Sequence, residues 1–123
     1  MVSSEPFEYA VIRVVPRVER GEIMNAGVIL YSQQHGYLGC LVQLDTERLL
    51  ALDPGADPAT AAAGLTAIEE GCRGGGPAGQ SPGARFRWLT APRSTIIQPG
   101  PVHGGLTADP AAELRHLFDA LVR

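Results

Sequence analysis

The stretch Tyr9-Ala-Val-Ile-Arg-Val-Val-Pro16 decides the fold. Val11, Ile12, Val14 and Val15 are β-branched, a composition that favours extended backbone, and Pro16 ends the run. Apolar side chains fall on both alternating faces, which predicts a strand over 9–15 buried on both sides of a sheet. The polar residues 17–22, with Gly21, turn the chain. Ala26-Gly-Val-Ile-Leu-Tyr31 is then a second strand, antiparallel to the first. Gln33-Gln-His-Gly36 is another turn, and the apolar run 37–44 a third strand, completing a meander.

From Asp45 onward the pattern becomes helical. Asp45 caps a short helix over 47–52, which Asp53-Pro-Gly55 stops. Asp57-Pro58 is a second cap with proline at the first helical position, and behind it Ala61, Leu65, Ile68 and Cys72 lie on one stripe. The stretch 74–83, Gly-Gly-Gly-Pro-Ala-Gly-Gln-Ser-Pro-Gly, has the composition of a flexible loop. It lacks the Gly-Lys-Ser/Thr ending of a phosphate cradle. Residues 84–90 form a short element whose type the pattern leaves open. Residues 95–98 and 101–106 supply one or two short strands. Asp109-Pro110 repeats the cap, and Leu114, Leu117, Phe118 and Leu121 form the apolar stripe of a terminal helix. The expected class is α+β: one domain over 1–123, a mainly antiparallel sheet with helices packed on one face.

Composition narrows the function. The chain has 123 residues, 45% of them hydrophobic, enough for one ordinary core. All ten basic residues are arginine, so Schiff-base chemistry and the lysine of a phosphate loop are excluded. A net charge of −3 argues against a general nucleic-acid binder. No apolar run is long enough to span a membrane, and residues 1–8 do not resemble a secretory signal, so the expected location is cytoplasmic. Cys40 and Cys72 are too far apart in sequence for a metal or redox motif and read as reduced core residues. His35 lies in a turn and His116 off its helix stripe, both read as solvated; three widely spaced histidines make a poor metal site. No metal or cofactor is expected.

Eight residues are candidates for ligand binding. Arg13 shares its strand face with Tyr9, Val11 and Val15, so its charge needs a carboxylate, a carbonyl or an anionic ligand. Glu22 and Asn25 stand at the mouth of the second strand. Glu22 is the nearest acidic residue across the hairpin, either as Arg13's partner or as a general base. Gly27, inside that strand, marks a bulge or a close backbone approach. Arg93, Ser94, Thr95, Gln98 and His103 gather an arginine, two hydroxyls, an amide and an imidazole within eleven residues, a set suited to phosphate or carboxylate. Each also has an ordinary structural reading: a paired arginine bracing the hairpin, a turn-closing carboxylate, polar groups on an edge strand. No catalytic triad, Cys-His pair or nucleophile elbow is present.

Tyr9-Ala-Val-Ile-Arg-Val-Val-Pro16, Arg20-Gly-Glu-Ile-Met-Asn-Ala-Gly-Val-Ile-Leu-Tyr31, Phe86-Arg-Trp-Leu-Thr-Ala-Pro-Arg-Ser-Thr-Ile-Ile-Gln98 and Pro101-Val-His-Gly-Gly-Leu-Thr-Ala-Asp-Pro110 are strings of a recognisable kind. Together they resemble the small bacterial family catalogued as domain of unknown function 3037, over nearly the whole chain. The resemblance implies no activity and no catalytic residue. It implies an accessory role beside a protein resembling HipA-type kinases, in a toxin–antitoxin-like or regulatory pair.

Three functions follow as expectations. The first is a non-enzymatic accessory domain that binds another protein. The second is a small enzyme or binding domain for an anionic metabolite or nucleotide, using the arginines as clamps and Glu22 or His103 for proton transfer. The third is single-stranded nucleic-acid stacking on Arg85-Phe-Arg-Trp88, against which the acidic charge counts. A homodimer is left open.

Overall fold

A computed structural model describes residues 3–74 and 81–123. The elements run β1 (Glu5–Val14), a 3-10 turn (Val18–Arg20), β2 (Met24–Ser32), β3 (Tyr37–Val42), α1 (Thr46–Leu52), α2 (Pro58–Cys72), α3 (Pro82–Leu89), β4 (Ile97–Pro99), β5 (His103–Thr107) and α4 (Pro110–Leu121). All pairings are antiparallel, in the order β3-β2-β1. The other edge of β1 is shared: β5 pairs with its first half, Glu5 to Tyr9, and β4 with its last residues, Ile12 to Val14. The meander and two short strands of an α+β fold are therefore as the sequence reads. β1 begins earlier than expected because β5, distant in sequence, holds its N-terminal half extended.

The caps follow the sequence. Asp45 accepts from the Arg48 amide at 3.1 Å, Asp57 from Ala59 at 3.0 Å and Asp109 from Ala112 at 3.1 Å. Each satisfies a backbone donor that the helix itself leaves unpaired. The open element at 84–90 is helical. Ser81 caps α3 by accepting from the Ala84 amide at 3.1 Å, with Pro82 at its first position. The loop expected over 74–83 thus ends earlier, at the Ser81 cap; residues 75–80 lie outside those described.

The helices divide between the two faces of the sheet, which corrects the one-face expectation. Ala10, Ile12 and Val14 of β1 pack with Met24, Ala26 and Ile29 of β2 against Leu49, the stripe Ala61, Leu65, Ile68 and Cys72, and Phe86 and Leu89. On the opposite face, Phe7, Val28 and Leu30 pack against Leu114, Phe118 and Val122. The reason was already present in the first strand: apolar residues on both faces need cover on both. Along α4 the stripe shifts at its end, since Leu121 is exposed and Val122 is buried in its place.

β1 and β2 lose register between Ile12 and Arg13, where Ile12 pairs with Gly27 and Arg13 with Asn25. Ala26 is the extra residue of a bulge. Gly27 is also a close approach, because a Cβ there would stand 2.8 Å from the Leu41 carbonyl oxygen. The bulge switches which residues face each layer: Ala26 and Ile29 share one core, and Asn25 and Val28 point to the other side.

Candidate functional site

Arg13 stands in the middle of a row built by three strands. It pairs with Asn25 of β2 on one side and Gln98 of β4 on the other, so all three side chains emerge on the α4 face. Cross-strand neighbours of this kind stand about 5 Å apart. The guanidinium lies against Gly100, where a Cβ would be 3.0 Å from its Cζ. Only a residue without a side chain leaves that space. Asn25 is fixed by donating from Nδ2 to the Leu121 carbonyl at 3.0 Å, which ties the row to the end of α4. Gln98 is fixed by donating from Nε2 to the Thr95 carbonyl at 2.8 Å.

The expected partner of Arg13 is elsewhere. Glu22 accepts from Arg20 Nε at 2.8 Å. The bulge places Asn25, and not Glu22, opposite Arg13; Glu22 precedes the first residue of β2, about 10 Å further along at strand rise. Among the described residues Arg13 is left without an acceptor, and its Nε is buried and unsatisfied. A buried donor without an acceptor costs about 1–3 kcal/mol.

α4 covers the sheet over β2 and β3. The rest of that face, over β1, β4 and β5, carries half-exposed Tyr9, Val11, Arg13 and Gln98. His103 pairs with Tyr9 and its ring lies tilted against the phenol ring, centroids 5.4 Å apart, exposed to solvent. This surface joins five of the candidate group and its neighbours: Arg13, Asn25, Gln98 and His103, with Tyr9.

The other candidates do not join it. Arg93 donates from Nη2 to the Trp88 carbonyl at 2.6 Å and lies over the indole, its Cζ 4.9 Å from the ring centroid. Thr95 Oγ1 donates to the Ile97 carbonyl at 2.8 Å, and Ser94 is exposed beside it. These are local contacts of the turn before β4. His35, read as solvated, is half-buried, and its Nε2 donates to the Thr107 carbonyl at 2.8 Å. Phe86 is fully buried and stacks on Tyr31 at 5.5 Å, which removes it from any nucleic-acid stacking surface; Trp88, by contrast, is 45% exposed rather than core.

Two features were not singled out in the sequence. Glu8 and Arg87 form a two-pronged ion pair at 2.7 and 2.9 Å across the sheet and α3. The hydrogen bond from Arg87 holds the Glu8 carboxyl below its ordinary value of 4.5, against a smaller opposing effect of burial. The pair borders a shallow cavity of 330 Å³ with Tyr31, Gln33 and Gln34. Both carboxylate oxygens are already engaged by the guanidinium, so the pair offers that cavity no free charge. The signal was the alternation of β1, which puts Glu8 on the same face as Ala10 and Ile12, toward α3. The second feature is that Cys40 packs against the core cluster that holds Cys72, although the two are remote in sequence.

Among the described residues no group of three or more His, Cys, Asp or Glu could hold a metal ion, and no helix is long and apolar enough to cross a membrane. A family model described as a protein of unknown function (DUF3037) matches residues 9–122, and the chain belongs to that family. No curated protein matches it significantly. No solved structure does either.

Proposed function

We propose that this member of the family is a non-enzymatic accessory domain that docks a partner protein on the half of the sheet beyond α4, with Arg13 receiving a carboxylate or carbonyl of that partner. The observation that carries the reading is the Arg13 guanidinium, set among half-exposed apolar neighbours with its Nε buried and unpaired. Arginine is suited to the task because its planar fork binds a carboxylate with two parallel hydrogen bonds. Tyr9 and the exposed His103 add an aromatic patch, of the kind enriched at protein interfaces.

Of the candidates for proton transfer and anion clamping, His103 shares the face of Arg13, opposite Tyr9 four residues back along β1, and the others do not. Glu22 is occupied by Arg20 and Arg93 by Trp88, on other parts of the surface. The cavity that Asn25 lines, of 130 Å³, is bordered by Arg48, Val122 and Arg123 and does not include Arg13. An extended, gently polar sheet face fits a protein surface better than it fits a small metabolite. The HipA-type kinase pairing implied by the family resemblance names the first partner to try, in a bacterial cytoplasm.

The test is purification of the tagged chain from its host with neighbouring genes expressed, alongside Arg13→Glu. The wild type should retain a stoichiometric partner that Arg13→Glu loses while keeping its circular dichroism. Retention of that partner by Arg13→Glu would contradict the reading. A thermal shift of the free wild type with phosphate, nucleotides or small carboxylates, absent in Arg13→Met, would favour the anion-binding alternative instead.

A further inference from the structure

The sheet has two outer edges, and they differ. α2 and α4 both pack on β3, and each of its residues is half-buried. β5 is bare: among the described residues it pairs with β1 alone, and His103, Gly104, Gly105 and Leu106 are all exposed. The ladder decides which of its backbone groups are spare. Pro6 has no N–H, and its carbonyl accepts from Ser32 Oγ of β2 at 2.8 Å, so that carbonyl points away from β5. Leu106, opposite Pro6 in the register, therefore turns its own N–H and C=O outward. Gly104 and, just before the strand, Val102 follow at the period of two. The side chains of Val102 and Leu106 are 41% and 68% exposed, on one face of this edge with Gly104 between them.

We propose that two copies of this chain pair through β5, antiparallel about a two-fold axis at Gly104, joining their sheets into one. A single register engages all three outward residues: Gly104 meets Gly104 of the second copy, and Val102 meets the second copy's Leu106. That register brings the exposed valine and leucine together twice, once on each side of the axis. It removes apolar surface that the single chain leaves in water. On the opposite face His103 falls opposite the second copy's Gly105, a position without a side chain of its own. Residues 100–107 contain no Asp, Glu, Lys or Arg, so no like charges are opposed. Exposed edge strands are commonly guarded by a charge, a bulge or a proline, and none stands between Val102 and Leu106. Pro99 and Pro101, just upstream, confine the pairing to this segment.

Opposed residues of an antiparallel ladder share a face, so the pairing sets both Arg13 rows on the same side of the joined sheet. A partner docking on one half-open face would meet a second such face beside it. The self-pairing itself does not depend on that partner: it is read on the isolated chain, whereas the docking reading stands or falls on Arg13. The contact is short, at the small end of specific interfaces, so the pair should dissociate on dilution.

The experiment measures the mass of the purified full chain by analytical ultracentrifugation over concentrations up to millimolar. The average mass should rise from 13.0 kDa toward twice that value. Hydrogen exchange over the same range should slow at the Gly104 and Leu106 amides, a readout that needs no variant. Val102→Arg and Leu106→Glu, both at exposed positions, should each weaken the pairing about tenfold and keep the circular dichroism of wild type. Each sets a charge against an apolar side chain at two places. The double variant should pair again, because the introduced arginine of one copy meets the introduced glutamate of the other. Within one chain the two stand about 13 Å apart and cannot meet. A chain that stays monomeric throughout, a dimer that neither single variant weakens, or a double variant no better than the singles would overturn the proposal.

Discussion

The two faces of this sheet are built to different degrees of completion. Under α1, α2 and α3, the residues Ile12, Val14 and Ile29 are sealed against Leu49, Phe86 and Leu89, each with 1% or less of its surface accessible. Under α4 the cover spans β2 and β3, and the core there is smaller, its helix side consisting of Leu114, Phe118 and Val122. Beyond it lie Tyr9, Val11, Arg13 and Gln98. A face that is finished contributes stability; a face left half open, with an unpaired guanidinium at its margin, has its remaining surface available for recognition. The same strand, β1, serves both through the alternation of its side chains.

That difference should appear first in core truncations. Phe86→Ala removes a fully buried ring from the finished face and should destabilise by about 3–5 kcal/mol in chemical denaturation. Phe118→Ala, 8% exposed on the smaller cluster, should cost less, about 2–3 kcal/mol, because the site borders solvent and can relax. If Phe118→Ala proved the more damaging of the two, the α4 face would have to be regarded as the principal core.

A smaller effect separates the two charged positions of β1. Glu8 has its arginine and Arg13 has no carboxylate. Glu8→Gln should lose no more than about 1 kcal/mol at neutral pH, since the pair is largely solvent-exposed and screened by salt. The sign with pH follows from the lowered carboxyl. A group depressed in the folded state contributes fully above its ordinary value of 4.5, and the contribution fades as pH falls through the lowered folded value. The gap in stability between wild type and Glu8→Gln should therefore close in acid. A gap that widened in acid would mean that Arg87 is not what holds the carboxyl.

Most of the fold was legible because its signals are local. Asp45, Asp57 and Asp109 each announce a helix, two of them with proline next, and each cap forms. Ser81-Pro82 carries the same grammar, but the glycine-rich stretch before it and Gly83 after it obscured α3, whose outward residues include Arg87 and Trp88. Division of the helices between two faces was present in the double-sided apolar pattern of β1, a long-range consequence that no local motif states. The site was legible in part. Arg13, Asn25 and Gln98 were singled out separately, and the sheet brings them into one row. Glu22 was misassigned because a bulge is a register event, visible in sequence only as the Gly27 that hinted at it. Cys40 and Cys72 come to one core cluster through the packing of α2 on β3, for which their spacing in the chain gives no sign.

The central claim, that Arg13 is a recognition residue and not a structural one, is tested most directly by the unfolding free energy of Arg13→Met. Methionine preserves much of the aliphatic stem that packs against the strand face and removes the unpaired charge. The account predicts a stability within about 0.5 kcal/mol of wild type or above it, as expected when a functional group held at a cost is replaced by an apolar one. A loss of about 3 kcal/mol or more, the size associated with breaking a buried ion pair, would contradict it and make Arg13 a brace of the hairpin.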